Sequence, residues 1–412
     1  MSHDPYAAIR LPAYRRYLGS LVAMTLATQM RGVAVGWQLY DLTGDPLALG
    51  LAGLAEALPF VAGALPAGHL ADRRDRRALA LGALVLLALC AAALAGLACR
   101  PGVAASGRVR WLYGIIAVSG VARTLLLPAR WALATQLVPR ALYPNAVAWR
   151  SGSWEAAAVL GPALGGVLYG AGGAGAVYLL DAGLMALAVA LMWLVPRVAR
   201  AEATASRGGW RGVLEGVAFV RGQPVLLGAL SLDLFAVLFG GATALLPVFA
   251  RDILHAGPAG LGALRAAPAV GAIATALVLA HRAPLERMGP ALLASVALFG
   301  LAIAGFGLST SLVASVALLA ASGAADSVSV NIRGTLLQLL TPDHLMGRVS
   351  AVNQVFIGSS NEIGAFESGV AARLLGAVPA VVLGGMATLG VVGIVAWRVP
   401  ALRRLGEAPV RA

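Results

Sequence analysis

Ionisable side chains stand inside long apolar stretches of this sequence, among them Arg31, Glu56, Arg123, Glu155, Asp181, Asp233, Arg265, Asp326, Arg333, Glu362, Glu367 and Arg373. A charge surrounded by hydrocarbon costs at least ~2.5–3.5 kcal/mol, so each must face an interior and find a partner. Burial favours the neutral form of an acid and a neighbouring arginine favours its anion. A carboxyl group held between those influences can trade a proton for another ligand. Glu155, Asp326, Glu362, Glu56 and Asp233 are the candidates for that proton, and Arg31, Arg123, Arg265 and Glu367 the candidates for ion pairs. Polar or aromatic groups in the same stretches, Gln29, Trp37, Gln38, Asn331, Asn353, Gln354 and Asn361, suit the lining of a site for an amphipathic organic molecule. Trp37, near a span end, also suits an interface anchor.

Other chemistry is missing from the sequence. Two cysteines, Cys90 and Cys99, are too few for a disulfide framework or a thiolate metal cage. With five histidines there is no HExxH string, no phosphate-binding glycine loop and no nucleophile elbow. The expectation is a protein that is not an enzyme, with no metal and no cofactor. Without an ATP motif, the driving force must be an ion gradient or the substrate's own gradient.

The elements that position these groups are membrane helices. Of the 412 residues 59% are hydrophobic and 12% charged, half the ~25% of a soluble domain. A membrane helix needs about 20 mostly apolar residues. Spans are predicted near 16–40, 47–70, 78–98, 111–135, 146–170, 175–195, 225–249, 259–280, 289–308, 312–338, 349–375 and 379–398. The N-terminal stretch lacks the apolar core and cleavage site of a removed signal, so the first span is expected to act as an uncleaved one. The net charge is +13 and every one of the 31 basic residues is arginine. With both termini inside, twenty arginines fall in cytoplasmic segments and four in outer loops, as the positive-inside rule requires. The charge therefore sets orientation, and nucleic acid is not an expected partner.

Depth along the spans follows from a rise of ~1.5 Å per residue. Arg31 and Glu56 both fall ~14 Å below the outer surface and are expected to pair. Arg123 and Glu155 lie nearer mid-depth, within ~5 Å of each other along the normal, a second expected pair. Arg265 and Glu367 share a shallower outer level. Asp181 is expected to be a hydrated residue at the outer end of the sixth span.

The chain is expected to form two six-helix halves, 1–195 and 225–412, joined by a cytoplasmic loop at 196–224 that is partly helical around Trp210–Val220. Two short matches favour a duplication. LADR at 70–73 answers LAHR at 279–282, and RWALATQLVP at 130–139 answers RGTLLQLLTP at 333–342. Their offsets, 209 and 203 residues, both lie close to half the chain, and parallel repeats of this kind build the halves of one large transporter fold.

GHLADRRDRR at 68–77, through Gly68, Leu70, Asp72, Arg73, Arg76 and Arg77 and with Asp75 where a glycine is usual, is similar to the signature between the second and third helices of the major facilitator superfamily. GPALGG at 161–166 resembles its antiporter signature, through Gly161, Pro162, Gly165 and Gly166, with Ala157 in place of the first glycine. GWQLYDLTGDPLALGLAGLAEALP, LLLPARWALATQLVP and TPDHLMGRVSAVNQ resemble its multidrug and siderophore exporter branch, the transmembrane secretion effector group. The resemblance implies an all-α membrane protein with twelve transmembrane helices in two halves. It also implies proton-coupled export of an amphipathic small molecule, such as a drug or a siderophore-like metabolite. The implied setting is a bacterial inner membrane, with both termini cytoplasmic and the chain a monomer in lipid. An uptake permease for a small metabolite shares the fold and is the alternative. A non-transporting membrane component would need larger loops or tails than these. The resemblance further implies that Asp72 latches the start of the eleventh helix, with Gly68, Arg73, Arg76 and Arg77 around it. In the second half His281 replaces that acid.

Overall fold

The computed structural model describes residues 4–100, 102–197, 210–281 and 287–406. Among the described residues there is no strand. The long helices are α1 (Pro12–Thr43), α2 (Pro46–Arg73), α3 (Arg76–Ala98), α4 (Ala105–Gln136), α5 (Tyr143–Trp193), α6 (Trp210–Gly222), α7 (Pro224–Phe239), α8 (Gly257–Ala280), α9 (Met288–Leu308), α10 (Leu312–Leu340), α11 (Asp343–Leu375) and α12 (Ala377–Arg398). In hydrocarbon every backbone N–H and C=O must be satisfied within the segment, and a helix does this.

Ten stretches among the described residues are long and apolar enough to cross a membrane. One of them, Arg140–Trp193, runs 54 residues and supplies two spans. It breaks at Gly173, where φ is 67° and ψ is −170°. A side chain would strain that backbone, and glycine carries none. The expected loop between the fifth and sixth spans is thus reduced to one residue. Helix α11, at 33 residues, is long enough to cross as well, and carries Asn353, Asn361, Glu362, Glu367 and Arg373 among its apolar residues. Counting α5 twice and adding α11, the described helices agree in number with the twelve expected spans. The seventh is not one helix: α7 stops before Gly240-Gly241, and a 3-10 turn (Ala242–Leu245), a short α turn (Leu246–Val248) and a π turn (Phe249–Ile253) complete it. The paired glycines hold helix poorly.

The chain divides into two compact units. Unit 1 is Met1–Gly44, Leu54–Thr204 and Ala256–Ala266. Unit 2 is Asp45–Gly53, Ala205–His255 and Ala267–Ala412.

In unit 1, α1 runs along both limbs of α5. Its buried hydroxyls donate to carbonyls of its neighbours: Tyr14 to Ala146 at 2.5 Å, Tyr17 to Arg130 at 3.0 Å and Ser20 to Ala188 at 2.7 Å. Gly161 and Gly165 bring the first limb of α5 onto α1. A β-carbon at Gly161 would lie 2.5 Å from Cβ of Gln29, and one at Gly165 would lie 2.9 Å from Cα of Met30. A Gly165→Ala protein should therefore lose about 1–3 kcal/mol through overpacking. Gly82→Ala on α3, where a β-carbon meets nothing within 4 Å, should gain about 0.5–1 kcal/mol. Thermal unfolding of the purified proteins in detergent checks both signs.

The charged loop at 72–77 also acts in unit 1. Asp75 caps α3 by accepting the N–H of Arg77 at 2.9 Å. Arg77 donates to the carbonyl of Trp193 at 2.5 Å, with its guanidinium 5.9 Å from that indole. It thereby ties the start of α3 to the end of α5. Arg76 opens α3. The latch role expected of Gly68, Asp72 and Arg73 lies outside the described residues.

In unit 2, Leu232, Leu292, Ile332 and Leu336 form the centre of one apolar cluster. Helix α6 lies on the start of α11, where Arg348 and Glu215 pair at 2.5 Å. It falls in the stretch expected to be partly helical.

Candidate functional site

The charges at membrane depth gather into three groups. In unit 1, Arg31 on α1 faces Asp181 on the second limb of α5 at 3.8 Å. Asp181 is wholly buried and Arg31 8% exposed. Neither carboxylate oxygen of Asp181 has a hydrogen-bond partner among the described residues, so this contact is electrostatic alone. The arrangement corrects two expectations. Arg31 pairs with Asp181 and not with Glu56, because α1 and the second limb of α5 share a long interface and equal depth does not make helices neighbours. Asp181 is not a hydrated helix-end residue, because the packing of α1 over it excludes solvent. One turn before it, the Tyr178 hydroxyl donates to Gln38 at 2.7 Å.

The second group joins α2, α4 and the start of α8. Arg123 reaches Glu56 at 2.5 Å and lies 5.6 Å from the ring of Phe60. Gly120, one turn earlier, admits the α2 backbone: a β-carbon there would fall 2.5 Å from the Glu56 carbonyl. Arg265 lies over Gly32 of α1, within electrostatic range of Glu56. The expected pair of Arg123 with Glu155 is not formed. Arg123 points toward α2, while Glu155 faces a pocket described below.

The third group is in unit 2. Arg333 on α10 pairs with Asp233 on α7, both side chains less than a tenth exposed. Asp326 stands two turns before Arg333 on the same helix face and within electrostatic range of Arg333 and Asp233. Asp233 and Asp326 line one small cavity of about 10 Å³ with Phe299 and Ser329, which has room for at most one water molecule. With both acids ionised, the group holds two negative charges and one positive. A proton on either carboxyl balances it.

The pocket of Glu155 lies in unit 1, at the end of the unit from which α1 starts. It encloses about 250 Å³. Tyr17 and Leu21 of α1 form one wall, Arg130 and Trp131 of α4 a second, and Arg150, Ser151, Trp154 and Glu155 of α5 the third. The Arg150 guanidinium lies 3.6 Å from the Trp131 ring centre, and that of Arg130 lies 5.9 Å from the Trp154 ring. Neither arginine is paired with a carboxylate among the described residues. Arg130, Trp131, Arg150 and Trp154 were not among the residues expected to line a site. The signal was there, as an Arg-Trp doublet at 130–131 and a Trp-Arg doublet at 149–150.

The remaining candidates are more dispersed. Glu362 lies close to Gly53 in unit 2. Glu367, also in unit 2, accepts from the Ser368 hydroxyl at 3.4 Å, and Arg373 reaches Asp45 at 3.2 Å. Trp37 stacks obliquely near Tyr169, ring centres 6.4 Å apart. Asn331 and Asn361 turn their amide donors back to Ser327 and Ile357 of their own helices, at 2.8 Å each. Gln29 packs on Gly161, Asn353 is half-buried, and the Gln354 side chain lies outside the described residues.

Residues 17–365 match the family model of the Major Facilitator Superfamily. An uncharacterized MFS-type transporter of Bacillus subtilis, YfiS, is 27% identical over 250 residues, 59% of this chain and 57% of its own length. The chain thus spans little more than half of that relative. The enterobactin exporter EntS of Citrobacter koseri is 26% identical over 343 residues, 83% of this chain and 80% of its own. Among solved structures, a POT family transporter in complex with 5-aminolevulinic acid superposes with a TM-score of 0.71 at 12% identity, covering 94% of this chain and 96% of its own. A bacterial homolog of the human lysosomal transporter Spinster, inward-facing and unoccupied, gives 0.68 at 13% identity and covers 99% and 98%.

Proposed function

Because this chain belongs to the major facilitator superfamily, we propose that it is a secondary active transporter that exports amphipathic small molecules in exchange for protons. The observation that carries the reading is the group of Asp233, Asp326 and Arg333, two acids sharing one arginine in a nearly dry interior. A buried group with one acid in excess is balanced by a proton and unbalanced by its loss. That is what a carrier needs if proton release is to change the stability of one state against another. Asp326 is the acid without a direct arginine contact and is assigned the coupled proton. Asp233 holds Arg333 in place. Glu155 is assigned to the substrate.

Export is supported by the fifth-span signature at Gly161, Pro162, Gly165 and Gly166 and by the likeness to the enterobactin exporter. The arginine bias supports both termini lying in the cytoplasm of a bacterial inner membrane, and in that orientation the pocket at the α1 start opens toward the cytoplasm. The partners are the small-molecule substrate and the bilayer. The proton gradient is the driving force, and no cofactor takes part.

Everted vesicles acidified inside by respiration test the reading. Candidate substrates, cationic drugs and aromatic acids among them, are added singly while interior pH is followed with a fluorescent dye. A substrate-dependent loss of the gradient, absent from control vesicles, is the expected result. Gradient loss with none of the compounds, together with uptake of one of them into right-side-out vesicles, would replace export by import.

A further inference from the structure

We infer that the pocket between Trp131 and Trp154 binds a planar aromatic anion, specifically a hydroxylated aryl carboxylate or a close analogue. This names the substrate class of the site assigned above and rests on the transport reading for its physiological meaning, though not for the binding itself.

The size fits one substituted ring. The pocket encloses about 250 Å³, and a bare benzene fills a cavity of about 150 Å³. The walls suit a ring as well. Trp131 and Trp154 stand on neighbouring helices and are 46% and 43% exposed, so each keeps a free indole surface for stacking.

Charge sets the sign of the ligand. Arg130 and Arg150 both line the pocket, against a single acid, Glu155. The two guanidinium groups rest near indole rings and make no ion pair with a carboxylate among the described residues. A guanidinium whose hydrogen-bonding fork is unused is a ready site for a carboxylate, which it grips through two parallel bonds. The Trp131 ring, 3.6 Å from the Arg150 guanidinium, supports that group in the pocket. A cationic ligand would meet two positive charges here and gain only one negative.

Glu155 adds a requirement. It is an acceptor in the same pocket, so the ligand that satisfies all three groups carries a donor such as a ring hydroxyl besides its anionic group. Tyr17, which closes the wall toward α1, has its hydroxyl committed to the Arg130 carbonyl and serves as a fixed surface.

Salicylate and its neutral amide, salicylamide, separate charge from shape. Equilibrium dialysis of each, radiolabelled, against the purified protein in detergent should give saturable binding of salicylate. Salicylamide should bind about tenfold or more weakly. Arg150→Gln and Arg130→Gln, each checked for an unchanged unfolding midpoint, should weaken salicylate about tenfold or more and leave salicylamide unchanged. Equal affinity for the two probes on the unaltered protein overturns the inference without need of any variant, as does the absence of saturable salicylate binding. Full salicylate affinity in both arginine variants overturns it too. The assay contains no gradient, so the two readings fail separately. Salicylate binding in detergent without proton-coupled movement in vesicles supports the pocket and sinks the transport reading. Proton-coupled movement of cationic dyes with no salicylate binding does the reverse.

Discussion

An Arg333→Met protein should be less stable than the parent by about 3–5 kcal/mol, the cost of stripping a buried acid of its partner. Asp233 would be left less than a tenth exposed, among Ala236, Val296 and Phe299, with nothing to balance it. The damage should be repaired by a second change. In Arg333→Met with Asp233→Leu, both charges are gone and two apolar chains of similar size fill the site, an exchange that is often neutral or stabilising. The double variant should therefore unfold near the parent midpoint and yet drive no proton-coupled transport. Urea or thermal unfolding in detergent, followed by tryptophan fluorescence, reads the stability, and vesicles read the transport. A single variant as stable as the parent would mean that water reaches Asp233 and that the pair is no interior group.

The second large effect concerns coupling. Under a gradient of about one pH unit, each exchanged proton supplies about 1.4 kcal/mol, a tenfold concentration ratio. An Asp326→Asn protein should bring that ratio to one in proteoliposomes while still exchanging labelled for unlabelled substrate with no gradient applied. Asparagine keeps the size and hydrogen-bonding capacity of the side chain and removes only the titratable proton. Retention of the tenfold ratio would move the coupled proton from Asp326 to another acid, with Glu56 beside Arg123 and Glu362 on α11 the next to substitute. Loss of both accumulation and exchange would mean that Asp326 supports the fold or the substrate path and not the coupling.

Much of this fold is legible in the sequence, because hydrocarbon imposes one demand on every span. Runs of about 20 apolar residues located the helices, and the arginines gave them a proposed direction. The breaks were harder. Gly173 and the Gly240-Gly241 pair sit in apolar surroundings rich in small residues, and hydropathy does not distinguish a glycine that turns the chain from one that lets helices touch. The ion pairs were least legible. A rise per residue gives depth and says nothing of azimuth, so Arg31 and Glu56 matched in height while their side chains point to different helices. Knowing that α1 lies along the second limb of α5 would have directed Arg31 to Asp181. The pocket residues Arg130, Trp131, Arg150 and Trp154 escaped notice for another reason. Nothing in their spacing along the chain joins Arg130 and Trp131 on one span to Arg150 and Trp154 on the next. Only their convergence on one pocket distinguishes them.

The single-residue turn at Gly173 bears on how the protein is made. Residues 170–176, Gly-Ala-Gly-Gly-Ala-Gly-Ala, carry no charge and no side chain larger than a methyl group. Such a corner carries no charge penalty in hydrocarbon, so the two limbs of α5 are expected to insert together as one helical hairpin. Asp181 would then enter on the second limb of that hairpin, against Arg31 of a helix already made.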